Sequence, residues 1–194
     1  MLRRSVLLCA AVLLSTQCAA QAQTPTYVPP TQAERNRHYL RSLISPMALL
    51  GAAASAGISQ WEDTPREWKQ GAEGYGHRIG TSFAYHVASE TMEFGASSLL
   101  GEDNRYIPLQ SGAAGVRVKY AIESTFLARR RGGSRRLSYS RIGATLGAAF
   151  LSRAWQPPST RGPEHAVESF AISMAVQAGF NVGHEFVPFL RRHG

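Results

Sequence analysis

The sequence predicts an all-α fold, a single compact bundle of about five helices with Gly/Ala-rich close helix packing. Three observations carry that expectation. No segment sustains the period-two alternation, rich in β-branched residues, that a half-buried strand needs. Helix start and stop residues punctuate the chain at Thr64-Pro65-Arg66-Glu67, Gly101, Gly132-Gly133, Gln156-Pro157-Pro158 and Gly162-Pro163. Small residues recur every four positions, as in Ala72, Gly76, Gly80, Ala84 and Ala88. With 194 residues, 44% hydrophobic and 18% charged, the chain has the balance of one globular domain rather than of a disordered segment.

Residues 1–22 read as a secretory signal peptide. Arg3 and Arg4 form the positive n-region, Ser5–Ser15 is an apolar stretch too short to span a bilayer, and Ala20-Gln21-Ala22 is an A-x-A cleavage site. Lipidation at Cys18 would want a small residue before it, and Gln17 is bulky. Cleavage would begin the mature chain at Gln23 and remove both cysteines, Cys9 and Cys18. Thiol catalysis, disulfides and thiolate metal sites are therefore not expected. The expected location is exported, periplasmic or outer-envelope associated.

Residues 23–34, with Pro25, Pro29 and Pro30, read as a disordered Pro-rich leader, and 35–194 as the helical domain. The first helical segment is Arg35–Trp61, interrupted near Pro46. The second, Pro65–Leu100, opens on a capping box between Thr64 and Glu67. The third is Val116–Arg131, the fourth Ser138–Trp155 and the fifth Glu164–Leu190.

The four-residue step of small residues continues through Gly51, Ser55 and Ser59, through Gly143 and Gly147, and through Ala171, Ala175, Gly179 and Gly183. A mid-helix Gly costs about 0.8–1 kcal/mol relative to Ala. Close backbone approach between helices would offset that cost.

Ser42–Trp61 is 20 residues without a formal charge, long enough to cross a bilayer. His86, Glu90 and Glu93 sit inside the second segment, however, and Arg117, Lys119 and Glu123 inside the third. Such groups are expensive in hydrocarbon, so the sequence favours a soluble or surface-associated bundle over partial embedding. Trp61, Trp68 and Trp155 fit either a water–lipid boundary or caps on the core, and the core reading is preferred.

The formal charge of +8 falls to +6 when Arg3 and Arg4 leave with the signal. Ser124–Pro163 contains eight arginines and no acid. Six of them, Arg129, Arg130, Arg131, Arg135, Arg136 and Arg141, cluster at the turn between the third and fourth segments. Such an edge attracts anions, and in an envelope the expected partner is anionic lipid or lipopolysaccharide phosphate. Nucleic acid is not expected, because the chain is exported and carries no zinc-finger or RNA-binding aromatic motif.

The expected function is therefore a non-enzymatic envelope protein, structural or peripherally bound to anionic lipid through this turn. The alternative is a small metal-dependent or acid/base hydrolase using His86, Glu90 and Glu93, which helical spacing can place together. Glu73/His77, His165/Glu168 and His184/Glu185 are further pairs with helical or adjacent spacing, most simply surface ion pairs. No cofactor or resident metal is expected. There is no H-E-x-x-H, G-x-S-x-G, Walker or dinucleotide motif. Ser140-Arg141 has the Ser-Arg of membrane acid phosphatases, but Gly147 stands where their histidine would be.

Gly57-Ile-Ser-Gln-Trp61, Glu67-Trp68-x-Gln70-Gly71-Ala-Glu-Gly-Tyr-Gly76, Glu102-Asp-x-Arg-Tyr106 and Ser140-Arg-Ile-Gly-Ala144 resemble a family of exported bacterial helical proteins without an assigned activity. The resemblance covers about residues 43–190. It implies a shared helical fold and brings no catalytic residue or cofactor.

Overall fold

The computed structural model describes residues 27–109 and 111–187. The segment 1–22 expected to be a signal peptide, with its expected cleavage site and Cys18, lies outside them. The fold is largely α-helical and compact. Its elements are α1 (Gln32–Leu43), α2 (Pro46–Trp61), α3 (Ala72–Leu100), β1 (Glu102–Asp103), α4 (Ala114–Phe126), β2 (Leu127–Arg130), β3 (Arg135–Leu137), α5 (Tyr139–Ser152) and α6 (Pro163–Phe186). Two short 3-10 turns, Arg66–Trp68 and Pro158–Thr160, complete the path.

The break expected near Pro46 is present. Thr31 starts α1 with a full capping box to Glu34. The helix ends at Leu43, and Ser45 restarts it as α2 by accepting from the Ala48 N–H at 3.0 Å, with Pro46 at the first helical position. The last residues of the expected leader are thus structured: helix begins at Gln32.

α3 begins later than the Thr64–Glu67 pattern predicts. Thr64 donates instead to the Glu62 carbonyl, and Glu67 reaches across to Ser159. Lys69 at φ 55° and Gly71 at φ 98° turn the chain before α3 starts at Ala72. Gly101, at φ 64°, ends α3 in the left-handed conformation.

α1 and α2 run antiparallel along α3. Gln60 lies against Gly71, Tyr75 bonds the Ala53 carbonyl, and Tyr39 meets Thr91 and stacks on Phe94. α5 lies antiparallel on α3, with Thr145 at Tyr85 and Ser89 and Arg141 at Glu93. α6 closes against α4 and α5 through Asn181–Thr125 and Ser169–Arg153.

A small antiparallel sheet, β1-β2-β3, corrects the expectation that no strand would form. The third predicted helix stops at Phe126, and Leu127 goes extended. Gly133, at φ 80°, lets the chain reverse, and the hairpin closes through Gly133 N–H to the Arg130 carbonyl at 2.8 Å. Glycine in that conformation is a hairpin signal, stronger here than any helical pattern.

The close packing between helices is carried by alanine. Ala52 and Ala56 on α2, Ala121 on α4, Ala144, Ala148 and Ala149 on α5 and Ala166 on α6 are all buried. The expected glycine ridges are not all in contact. On α3, Gly76 and Gly80 face outward, and so does Gly179 on α6; a Cβ on any of the three would meet nothing within 4 Å. Small residues are frequent enough that the repeat does not fix the phase of a helix: α2 carries it at Gly51, Ser55 and Ser59 and again at Ala52 and Ala56, and α5 at Gly143 and Gly147 and again at Ala144 and Ala148. The inward phase is decided by Arg78, Tyr85, Ser89 and Glu93, which need polar partners.

Beside these alanines, several polar side chains are buried and several large apolar ones are exposed. Arg78, Glu102, Thr125, Ser138, Ser140, Asn181 and Glu185 are fully buried, while Trp61 is 88% and Leu99 89% exposed. The expectation that Trp61 and Trp155 cap the core fails, since both are exposed.

Candidate functional site

The sheet end of the molecule gathers most of the arginines. Its centre is Glu102, placed on β1 immediately after the α3 stop at Gly101 and fully buried. Its Oε2 accepts from the Ser140 N–H at 2.9 Å and the Ser140 hydroxyl at 2.6 Å. Ser140 lies in the first turn of α5, where unpaired backbone donors favour a carboxylate. Oε1 pairs with Arg130 at 3.2 Å. Asn104 donates to Ser140 Oγ and accepts from Ser138 Oγ, each at 2.7 Å. Arg35 donates to the Glu102 carbonyl at 2.9 Å.

Arg141 is buried rather than offered to a surface. Its guanidinium donates to the carbonyls of Ser124, Thr125 and Asn104 and faces Glu93 at 3.4 Å. Arg129 is also buried, donating to the Tyr120 hydroxyl at 2.8 Å beside the Tyr27 ring. Arg130 spends its charge on Glu102 and its Nη1 on the Leu100 carbonyl at 2.7 Å, capping α3. Arg135 is half-buried, bonded to Ser124 Oγ at 2.8 Å and lying over the Tyr120 ring. Of the six, Arg131 and Arg136 are the exposed ones. The predicted six-arginine surface is therefore mostly internal cement. The hairpin turns its side chains back onto α3, α4 and α5, which a helix–turn–helix reading could not anticipate.

The alternative catalytic set is divided between two neighbours. His86 Nε2 lies 3.0 Å from the Ser42 carbonyl, Glu90 accepts from the Ser42 hydroxyl at 2.6 Å, and Glu93 faces Arg141. Each side chain is used to hold α1 or α5 against α3. Among the described residues, no group of three or more His, Cys, Asp or Glu could hold a metal ion. The metal-dependent form of the hydrolase reading thus finds no ligand set.

Of the weaker pairs, His165–Glu168 forms at 3.3 Å. Glu73 and His77 line a shallow groove of about 470 Å³ beside Trp155, with His77 stacked on Trp68. Glu185 is fully buried and accepts from the Tyr106 hydroxyl, the Leu109 N–H and Arg117 Nε. Burial, then the bond and charge of Glu185, push the Tyr106 hydroxyl far above its ordinary range.

The opposite end is locked by Arg78, which the sequence reading missed. It donates to the carbonyls of Thr64, Pro65 and Lys69 and to Gln60 Oε1, all within 2.6–3.0 Å. Two of its partners, and the Glu102–Ser140 pair, fall within the four stretches quoted in the sequence analysis. Gln60 and Lys69 lie in or between the first two, and Glu102, Asn104, Ser140 and Arg141 in the last two. Those stretches are the signal that could have found both clusters.

Between the two ends, the exposed positions of four stretches carry no Asp, Glu, Lys or Arg. The stretches are residues 42–61, 74–100, 137–155 and 169–187. Their exposed residues include Leu49, Leu50, Ile58, Met92, Leu99, Phe150, Leu151, Ile172 and Val176. At 1.5 Å per residue, the charge-free helix is about 24 Å long in α2 and about 27 Å in the part of the last stretch that belongs to α6. By length and composition, Gln32–Trp61 is apolar enough to cross a membrane. No protein-family model, no curated protein and no solved structure matches this chain.

Proposed function

We propose that the protein is a non-enzymatic cell-envelope protein held in a lipid bilayer by its outer surface, with the sheet end at the anionic head groups. One observation carries this reading. Four helical stretches keep charge off their exposed positions, over about 24 Å in α2 and about 27 Å in α6, close to the thickness of a bilayer's hydrocarbon core. Of the charges that argued against embedding, Glu90 and Glu93 turn inward to Ser42 and Arg141 and Arg117 pairs with buried Glu185, while Lys119 and Glu123 stay exposed on α4, outside the four charge-free stretches. Ionisable residues in membrane helices face the bundle interior in the same way. Exposed Trp61 and Trp155 border the apolar band at the end opposite the sheet, where aromatic rings suit the water–lipid boundary. At the sheet end, Arg131 and Arg136 are exposed, and their charge supports contact with phosphate head groups. The partners that His86, Glu90 and Glu93 already hold support a structural role for them.

Membrane extraction tests the reading. Membranes from producing cells are washed with high salt and then with alkaline carbonate. The protein should stay in the pellet through both and leave only with detergent. Release by salt alone would reduce the attachment to the exposed arginines, and a soluble monomer without detergent would overturn embedding. Ile172→Asp sharpens the test, because a charge at mid-bilayer depth costs about 2.5–3.5 kcal/mol on insertion scales. On a water-facing helix the same change should be harmless.

A further inference from the structure

We infer that the sheet end contains a binding pocket for a phosphate group, built by Arg129, Arg135 and Lys119 around Tyr120. The pocket has a volume of about 400 Å³ and lies between α4 and the hairpin, with Leu109, Val116 and Gly133 completing its wall. Arg129 and Arg135 are register partners across β2 and β3, and both reach Tyr120 on α4. The two guanidinium groups therefore stand on the same side of the hairpin.

The electrostatics are what call for a ligand. Arg129 is only 9% exposed. Among the described residues, no carboxylate oxygen lies within the 4.0 Å ion-pair distance of Arg129 or Arg135. Their partners are a phenol, a serine hydroxyl and two aromatic rings. A buried cation without an ion-pair partner is costly, and among the described residues the other buried arginines have one, Arg141 with Glu93 and Arg78 with Asp63, whereas Asp103, across the ladder from Arg129, is paired with Arg105. Lys119 adds a third positive charge on the rim, where Glu123 stands 3.8 Å away as the single acid of the pocket. The lining sums to +2, which matches a phosphate monoester dianion. Planar guanidinium groups suit phosphate oxygens, and the apolar wall leaves room for a small substituent.

Two sources offer this chemistry, a lipid head group and a free phosphate. The inference extends the lipid reading to one pocket but is tested separately from it. Calorimetric titration of the detergent-purified protein at low salt uses inorganic phosphate, glycerol 1-phosphate and dihexanoyl phosphatidic acid. Wild type should bind with one-to-one stoichiometry. Arg135→Ser and Lys119→Ser should each weaken binding about tenfold or more, with helical circular dichroism unchanged. Arg136→Ser, outside the pocket, should bind as wild type. Tighter binding of the phosphatidic acid than of glycerol 1-phosphate supports the pocket and identifies lipid as the source. Equal binding of all three supports it with free phosphate. Absence of saturable heat with every probe overturns the pocket, as does equal weakening by Arg136→Ser, which would reduce it to diffuse charge attraction. Neither result bears on carbonate extraction, so embedding and pocket fail independently.

Discussion

Glu102 holds Ser140 twice, accepting from its backbone N–H at 2.9 Å and its hydroxyl at 2.6 Å through the same oxygen. Residues 38 apart in sequence thereby join the end of α3 to the start of α5. The other carboxylate oxygen takes Arg130, which in turn caps α3 at Leu100. Two helix ends and one hairpin thus depend on one side chain.

Replacing that carboxylate is expected to be costly. Glu102→Gln removes the counter-charge of Arg130 and weakens both bonds to Ser140, at about 1–3 kcal/mol for buried partners left unsatisfied. The thermal midpoint should fall. Combined with Ser140→Ala, the loss should be clearly less than the sum of the two single changes, since both act on one network. Additive losses would show that the two residues are energetically separate.

Arg78→Met should loosen the segment 62–71 without unfolding the bundle. The substitution leaves the carbonyls of Thr64, Pro65 and Lys69 without this donor. Trypsin should then cut after Arg66 or Lys69 much faster than in wild type, while α5 and α6 stay protected. Unchanged cleavage rates would mean that the 3-10 turn holds itself.

Two glycines of α3 should respond in opposite directions. A Cβ at Gly74 would lie 2.4 Å from the carbonyl oxygens of Trp68 and Lys69, so Gly74→Ala should destabilise by about 1–3 kcal/mol. At Gly80 a Cβ meets nothing within 4 Å, and Gly80→Ala should stabilise by about 0.5–1 kcal/mol through helix propensity. Thermal unfolding of the pair checks the outward phase of the small-residue stripe. Destabilisation by Gly80→Ala would restore the contact ridge.

The Asp103–Arg105 pair sets an acid limit. Burial pushes the Asp103 carboxyl up, but hydrogen bonds and charge from Arg105 outweigh it and hold the group below the usual carboxylate range. A carboxylate lowered on folding stabilises fully above its unfolded value, about 4, and loses that contribution as pH falls through the folded value. The gap in unfolding midpoint between wild type and Asp103→Asn should be constant from about pH 5 to 7 and close in more acid solution. A gap that persists in acid would assign the difference to packing.

The helices were legible where local chemistry decides them. Pro46 marks the α1–α2 break, and Gly101 marks the end of α3. The hairpin was written as Gly132-Gly133, but the helical run before it masked the signal. The phase of the small-residue repeat was not legible, because Ala, Gly and Ser occupy more than one face of each helix. Arg129 reads as surface charge because its partners are the Tyr120 hydroxyl and the Tyr27 ring, and Arg141 because, Glu93 apart, its partners are backbone carbonyls. Such partners leave no trace in a count of acids and bases.

In the proposed bilayer setting, the outward apolar side chains and the polar ones buried among the alanines reverse which positions tolerate replacement. In a water-soluble bundle a saturation mutagenesis scan accepts polar variants outside and apolar ones within. Here Leu50, Ile172 and Val176 should exchange freely among apolar side chains of different shape, since nothing moulds them. Thr125, Ser138 and Asn181 should accept almost no change, because each fills a place between helices where both size and hydrogen bonding are specified. Sequence drift in this protein would therefore concentrate in its hydrophobic letters and spare its small polar ones.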